Sequence, residues 1–400
     1  MAFKDRSPFY PGRPAPFELF TGRQTEIERI LRSARQAAAG KQENLFLQGD
    51  YGIGKSSLAH YVRLIAEREH HLFSVHTYVG TMTSLENVVR KILEELIREI
   101  AKKNLLSKFR EFFKTLLSNL QVDLFGLSVE FDIEDRKLKN LVDNFLPLLR
   151  GIYQQVQDEY RGILLILDDL NGVASLPLFA SLIKSMVDEI ATSDQPLPLL
   201  LLLTGVEQRR FDMIKNHPSV GRIFDVVEIK GLSPEESEQV FKKAFDSEKI
   251  VVDGEAMNAM RRYAGGMPKF IHEIGDAVFW IDRDNHIDAN DAYQGALFAA
   301  ESIGKKYLDP EVYAVVRSAK YKSILRKLAQ APVGQIFQRS AVKDFLSLEE
   351  NKVFDQFLRK MKRLGVIKAG EDRGEYLFGN ELIRLYLSLE GNLTAAKIKT

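Results

Sequence analysis

Asn44-Leu45-Phe46-Leu47-Gln48-Gly49-Asp50-Tyr51-Gly52-Ile53-Gly54-Lys55-Ser56-Ser57 decides the fold. An apolar run with the character of a buried strand enters Gly49-x-x-x-x-Gly54-Lys55-Ser56. A helical pattern of Leu58, Tyr61, Val62 and Ile65 leaves it. This is the phosphate-loop pattern in the strand–loop–helix setting that gives it meaning. Gly49, Gly52 and Gly54 let the backbone curl so that several N–H groups converge on one anion. The intervening Asp50, Tyr51 and Ile53, with Ser57 just beyond, supply the rest of that backbone cradle. A helix beginning near Lys55 aims its positive end at the same point. Lys55 then reaches the β- and γ-phosphates, and the Ser56 hydroxyl ligates Mg²⁺. The stretch predicts a nucleoside triphosphate site.

Two further apolar runs belong beside it. Gly162-Ile163-Leu164-Leu165-Ile166-Leu167 ends in Asp168-Asp169. A continuous run of this kind predicts a strand buried on both faces of a parallel sheet, whose ligands collect at the carboxyl ends of the strands. Asp168 is therefore placed to bind Mg²⁺, directly or through water, and Asp169 to orient or activate the attacking water. Pro198 to Leu203 ends in Thr204-Gly205, which puts the Thr204 hydroxyl beside the Asp168 strand, in reach of the γ-phosphate or the water. Arg222 precedes a strand at residues 225–229. A lone Arg there is ordinarily a surface charge, and as an arginine finger it has rivals in Arg209 and Arg210.

Four hundred residues allow two or three domains, and 45% apolar with 28% charged residues is ordinary for a globular chain. There is no cysteine, which excludes disulfides and thiolate metal sites. The seven His residues are scattered and read as surface or strand positions. The net charge of +1 divides unevenly. Residues 321–400 hold 15 Lys/Arg against 9 Asp/Glu, a net of +6, which leaves −5 for residues 1–320. A basic C-terminal module on an acidic body points toward nucleic acid. No apolar signal region opens the chain, and the run from Leu197 to Leu203 is too short to span a bilayer, so no membrane and a cytoplasmic location are expected.

Residues 1–17 read as an extended lead-in, with four prolines between 7 and 17. An ATPase core is expected over 18–231, its first helix opening after Phe20-Thr21-Gly22-Arg23 with Thr25 or Thr21 as cap. An insertion at 105–160 is read as two helical patterns flanking a short hairpin that turns at Gly126. Ser233-Pro234-Glu235-Glu236 starts a helical stretch, 232–310, interrupted at Gly265-Gly266-Met267-Pro268. From 311 to 400, three helices and a hairpin turning at Gly370–Gly374 follow the winged-helix order. Arg359, Lys360, Lys362 and Arg363 on the third helix and Arg373 at the hairpin tip are candidate contacts to double-stranded DNA. The other reading of that face is a solvated basic surface on a regulatory or protein-binding domain.

With those residues laid out, the chain resembles the archaeal-type P-loop ATPases between the AAA+ origin-recognition initiators and the STAND signalling ATPases. The resemblance rests on Phe20-Thr21-Gly22-Arg23, the Gly49–Ser56 loop, Asp168-Asp169, Thr204, Gly265-Gly266-Met267-Pro268 and the terminal winged helix. It implies an α/β fold with a parallel-sheet core of the AAA+ kind, a helical lid and a C-terminal winged helix. It further implies ATP and Mg²⁺ as ligands, with Phe20, Gly22 and Arg23 at the adenine and ribose, Pro268 near the base and Thr204 as first sensor. Two departures stand out: Pro268 occupies the site of the initiators' second-sensor Arg, and Asp169 that of the usual catalytic Glu. The expected function is an ATP-hydrolysing switch that controls assembly or DNA engagement, as a homo-oligomer if Arg222 acts in trans. The competing readings are a signalling or defence ATPase acting through protein partners without DNA, and a nucleotide-binding protein without turnover.

Overall fold

The apolar runs marked as strands in the sequence lie side by side in one parallel sheet. The computed structural model describes residues 4–116, 139, 141–195, 197–306, 316, 318–330 and 336–398. The chain divides into two compact units, Arg23–Lys230 and Met1–Gly22 with Gly231–Thr400.

In the first unit, α1 (Gln24–Ala38) leads to β1 (Glu43–Gln48), the phosphate loop, α2 (Lys55–His70) and β2 (Leu72–Tyr78). Three helices follow, α3 (Leu85–Lys102), α4 (Leu106–Leu116) and α5 (Phe145–Val156). Then β3 (Gly162–Asp168), α6 (Pro177–Thr192), β4 (Leu199–Gly205), α7 (Glu207–Asn216) and β5 (Asp225–Glu228) complete it. The strand order is β2-β3-β4-β1-β5. Every residue of β3 and β4 is buried, the signature of a sheet covered on both faces. After β1 the chain runs out to the edge at β2 and steps back through β3 to β4, beside β1. Strand order therefore reverses around β1, where ligands of such sheets bind. Register does the rest: Leu47 pairs with Thr204 and Gln48 with Gly205, while Leu167 pairs with Leu203. The phosphate loop, Thr204 and Asp168 are thereby delivered to the same end of three adjoining strands.

Neither Thr25 nor Thr21 caps α1. The N-cap is Arg23, in the left-handed region with φ 65°, and the Thr21 hydroxyl bonds to Leu19 O at 3.2 Å instead. Consecutive left-handed residues, Gly22 and Arg23, turn the chain so sharply into the helix that no side chain stands where a cap would. In the insertion, α4 and α5 fall on the expected helical patterns; the hairpin at Gly126 lies outside the described residues.

The second unit is built on α8 (Pro234–Ser247), β6 (Val251–Val252), α9 (Gly254–Ala264), α10 (Pro268–Ile281), β7 (His286–Ile287) and α11 (Ala289–Ile303). Ser233 and Glu236 form the full capping box that the sequence announces. The stretch is not all helix, because β6 and β7 pair as a short parallel ladder. Beyond residue 316 come α12 (Ala319–Gln330), β8 (Ile336–Gln338), α13 (Arg339–Val342), α14 (Leu348–Arg363), β9 (Ile367–Ala369), β10 (Glu375–Phe378) and α15 (Glu381–Ile398). Strand β8 joins the expected hairpin to make a three-stranded antiparallel sheet, β8-β10-β9. All these helices draw on one apolar core, which runs from Phe241 through Ile303 to Leu387.

Gly265 and Gly266 are both left-handed, and a Cβ on Gly266 would lie 2.5 Å from Leu232 O. Glycine there is a packing requirement. The proline-rich opening belongs to this core as well. The Phe9 ring is 4% exposed, 4.9 Å from that of Phe245, and fills the space a side chain on Gly275 would need. Truncating a buried Phe removes its transfer free energy and leaves a cavity. Phe9→Ala is therefore expected to destabilise this unit by about 3 kcal/mol. Urea unfolding followed through Trp280, the chain's one tryptophan and a residue of α10, reads it directly. An unchanged midpoint would remove the opening segment from the core.

Candidate functional site

The phosphate loop takes its shape from two left-handed glycines and one close approach. Gly52 has φ 74° and Gly54 φ 98°, the latter as N-cap of α2, so the helix begins at Lys55 with its N–H groups facing the loop. Gly49 has no such torsion, but a Cβ there would come within 3.0 Å of Ile229 O. Lys55 Nζ donates to Gly49 O at 2.8 Å and to Asp50 O at 2.9 Å, so the ammonium lies over the loop. Tyr51 is exposed, and its hydroxyl bonds to Asn171 Oδ1 at 2.7 Å, which ties the loop to the segment that follows β3. Arg23, 6% exposed, donates to Ile53 O at 3.0 Å and to Lys230 O.

The two aspartates at the end of β3 live in opposite circumstances. Asp168 is 1% exposed. Burial alone would push its carboxyl up, but His76 bonds to it at 3.0 Å and Thr204 and Ser56 also donate to it. These hold it below the usual carboxylate range. Asp169 is raised above that range, first by burial and then by the charge of Asp168, with Lys55 pulling the other way. It is left-handed, φ 66°, and its side chain lies where a Cβ on Gly80 would be, 2.3 Å from Asp169 Oδ2. Thr204 joins the pair. Its fully buried hydroxyl donates to Asp168 Oδ1 and accepts from the Asp169 amide at 3.0 Å. An ionised acid and a harder-to-ionise acid stand side by side, a division of labour suited to holding a cation and handling a water.

Ser56 and Asp168 lie within hydrogen-bond reach of one another. A hydroxyl and an ionised carboxylate are hard oxygen donors, and two such ligands completed by phosphate oxygens suit Mg²⁺. No group of three or more His, Cys, Asp or Glu among the described residues makes a metal cage by itself.

Gly49, Asp50, Tyr51, Gly52, Ile53, Gly54, Lys55, Ser56, Ser57, Asp168, Asp169 and Thr204 thus come together at one end of the sheet. Arg222 ends a 3₁₀ turn before β5 and is exposed. Its rivals are engaged: Arg209 pairs with Asp212 at 2.8 Å and Arg210 bonds to Gln48 at 3.2 Å. Phe20, Gly22 and Pro268 belong to the second unit, where Pro268 is the first residue of α10. Sequence reasoning passed over His76, which only its strand register (opposite Ile166, two pairs from Asp168) would have marked as facing the carboxylate.

On α14, Arg359, Lys362 and Arg363 are exposed and Lys360 half-buried, and Arg373 is exposed at the hairpin. The first half of that helix is charge-paired, Glu349 with Lys352 and Lys320, and Asp355 with Arg339. No described helix is long and apolar enough to cross a membrane.

Residues 19–203 match the family described as the AAA ATPase domain. No curated protein sequence matches the chain. Among solved structures, the ORC2 protein of Aeropyrum pernix, in ADPNP and ADP complexes, is similar at 14% identity and a TM-score of 0.60, with 98% of this chain and 97% of that one covered. A Walker-type ATPase of Pyrococcus abyssi is similar at 16% identity and a TM-score of 0.55, with 92% and 96% covered. The α/β fold is that of the P-loop AAA+ ATPases.

The opposed aspartates predict opposed stability effects. The native carboxyl of Asp168 is held below its unfolded value, so its stabilising share is present at neutral pH and lost as pH falls through the native value. That of Asp169 is held above, so ionising it at neutral pH costs stability. Asp168→Asn should lower stability at pH 7 by about 2 kcal/mol, the scale of charge-assisted hydrogen bonds. Asp169→Asn should raise it. Urea melts at pH 7 and pH 4 check both signs: at the lower pH the Asp169→Asn gain should shrink, while the Asp168→Asn loss should largely remain, because the native carboxyl of Asp168 ionises lower still.

Proposed function

From a chain that carries an AAA ATPase domain at residues 19–203, we propose an ATP-hydrolysing molecular switch. The observation that carries this reading is the meeting of the phosphate loop with one ionised and one raised carboxylate at a single end of the sheet. In this reading the loop amides and the N-terminus of α2 hold the β- and γ-phosphates, and Lys55 neutralises the charge that develops on them. Ser56 and Asp168 would hold Mg²⁺, which would supply neutralisation of phosphate charge. Asp169, next to Asp168 at the end of β3, orients the water that attacks in line and accepts its proton. Thr204 keeps the two aspartates in register with each other. The family resemblance assigns Phe20, Gly22, Arg23 and Pro268 to the base and ribose. Arg222, exposed and without an ion-pair partner among the described residues, acts as a finger on a neighbouring copy, which makes hydrolysis depend on a homo-oligomer.

The helix–strand–helix–helix–hairpin order of residues 319–378 supports a winged-helix module behind a helical lid, with boundaries near 232–310 and 311–400. Its basic end, Arg359, Lys360, Lys362 and Arg363 with Arg373, is suited to the phosphates of double-stranded DNA. A second reading has an observation of its own. Glu349 and Asp355 neutralise the first half of α14, the part that would have to enter a groove, and this favours a protein partner in a signalling ATPase.

Phosphate release by the native protein, compared with Lys55→Ala and Asp169→Asn, tests the central reading. Both variants should fall by about 100-fold or more. Equal turnover in all three would reduce the protein to a nucleotide binder. DNA titrations over a range of salt separate the two partner readings. Neutralising Arg359, Lys360 and Arg363 should flatten the log–log salt slope by about one per residue if DNA is the partner. No salt-dependent binding with ATP present selects the protein partner.

A further inference from the structure

The chain passes between its two compact units twice, at Gly22–Arg23 and at Lys230–Gly231. One side chain links the second passage to the phosphate loop, and it belongs to the residue that makes the first. The guanidinium of Arg23 donates from one terminal nitrogen to Lys230 O and from the other to Ile53 O at 3.0 Å. A planar fork with rigidly placed donors holds two carbonyls at a fixed separation, which a flexible ammonium does not. The group is 6% exposed and Ile53 is 3% exposed, so these bonds compete little with water.

The backbone makes the same connection from the other side. Ile229 N donates to Gln48 O at 2.7 Å, and Gly49, the first loop glycine, packs against Ile229 closely enough to exclude a side chain. The residue just before the loop, the loop's own Ile53 and the exit at Lys230 are therefore fastened together. Arg23 has φ 65° and follows Gly22 at φ 75°, a tight left-handed turn that fixes where its side chain starts. The carboxylate of Glu26 lies 3.6 Å from the guanidinium.

We propose that Arg23 is a latch that joins the phosphate loop to both chain passages, so that movement of the loop backbone on taking up a phosphate is passed to the segments leading into the second unit. This deepens the switch reading and rests on it for the nucleotide. Arg23 is in this role a positioning residue: its fork holds carbonyls, where the family resemblance had given it to the base and ribose.

Hydrogen exchange on the full chain tests it, with native protein, Arg23→Met and Arg23→Lys, each alone and with ATPγS and Mg²⁺. Without nucleotide, Arg23→Met should speed exchange at residues 52–55 and 229–232 together, by about tenfold or more, as expected on losing charged hydrogen bonds. Trp280 fluorescence should not change. Arg23→Lys, with one compact donor group, should keep at most one of the two segments protected. With ATPγS, the native chain should gain protection in both segments and Arg23→Met in the loop alone. Unchanged exchange in both segments of Arg23→Met overturns the latch, as does native-like nucleotide protection of 229–232 in that variant. If Arg23→Met does not fold, Arg23→Lys decides, and native-like exchange in both its segments overturns the latch. If native protein binds no ATPγS, the switch reading fails while the nucleotide-free comparison still decides the latch.

Discussion

A carboxylate with 1% exposure at the end of a fully buried strand is the constraint around which this domain is built. Removing such a charge from water is costly unless each oxygen finds donors. Here His76 comes from β2, Thr204 from β4 and Ser56 from the helix that follows β1. Three separate elements must be in register for Asp168 to stay ionised. The strand order β2-β3-β4-β1 is what allows it, because it places β3 between its two strand donors and brings β4 against β1. The fold and the electrostatics of the site are one arrangement.

Asp169 depends on the same arrangement for a different outcome. Its left-handed backbone turns its side chain away from the strand direction, toward the glycine at position 80. A carboxylate held low and one pushed high are neighbours in the chain, and the first contributes to the second through its charge. The Thr204 hydroxyl braces both by donating to Asp168 and accepting from the Asp169 amide. Its hydrogen is in use within the protein, which makes Thr204 a support for the acids as much as a contact for anything they bind. Arg23 extends this economy of groups, since a single fork reaches the loop and the end of the unit.

Much of this was legible in the sequence, for definite reasons. A loop with glycines at fixed offsets, two unbroken apolar runs and a Ser-Pro-Glu-Glu helix start each rest on local chemistry, and local chemistry is what a single sequence displays. The features that were not legible depend on register or on distant packing. His76 looks like any strand histidine until β2 is aligned with β3. The short strand β8 and the β6–β7 ladder are too brief to show a period, and they exist because of the strands they meet. Nothing in the run of prolines before residue 17 shows that Phe9 lies in a core formed by residues more than two hundred positions away. The cap of α1 was misplaced because a left-handed Arg, unlike a left-handed Gly, has no sequence signature.

The most direct measurement is calorimetric titration of ATPγS with Mg²⁺ into the native protein and into Lys55→Ala. The arrangement of loop, helix terminus and ionised Asp168 predicts one saturable site per chain, dependent on Mg²⁺ and lost or greatly weakened without the Lys55 ammonium. Native protein that takes up no nucleotide, or a Lys55→Ala variant that binds as well as native, would contradict the account at its centre.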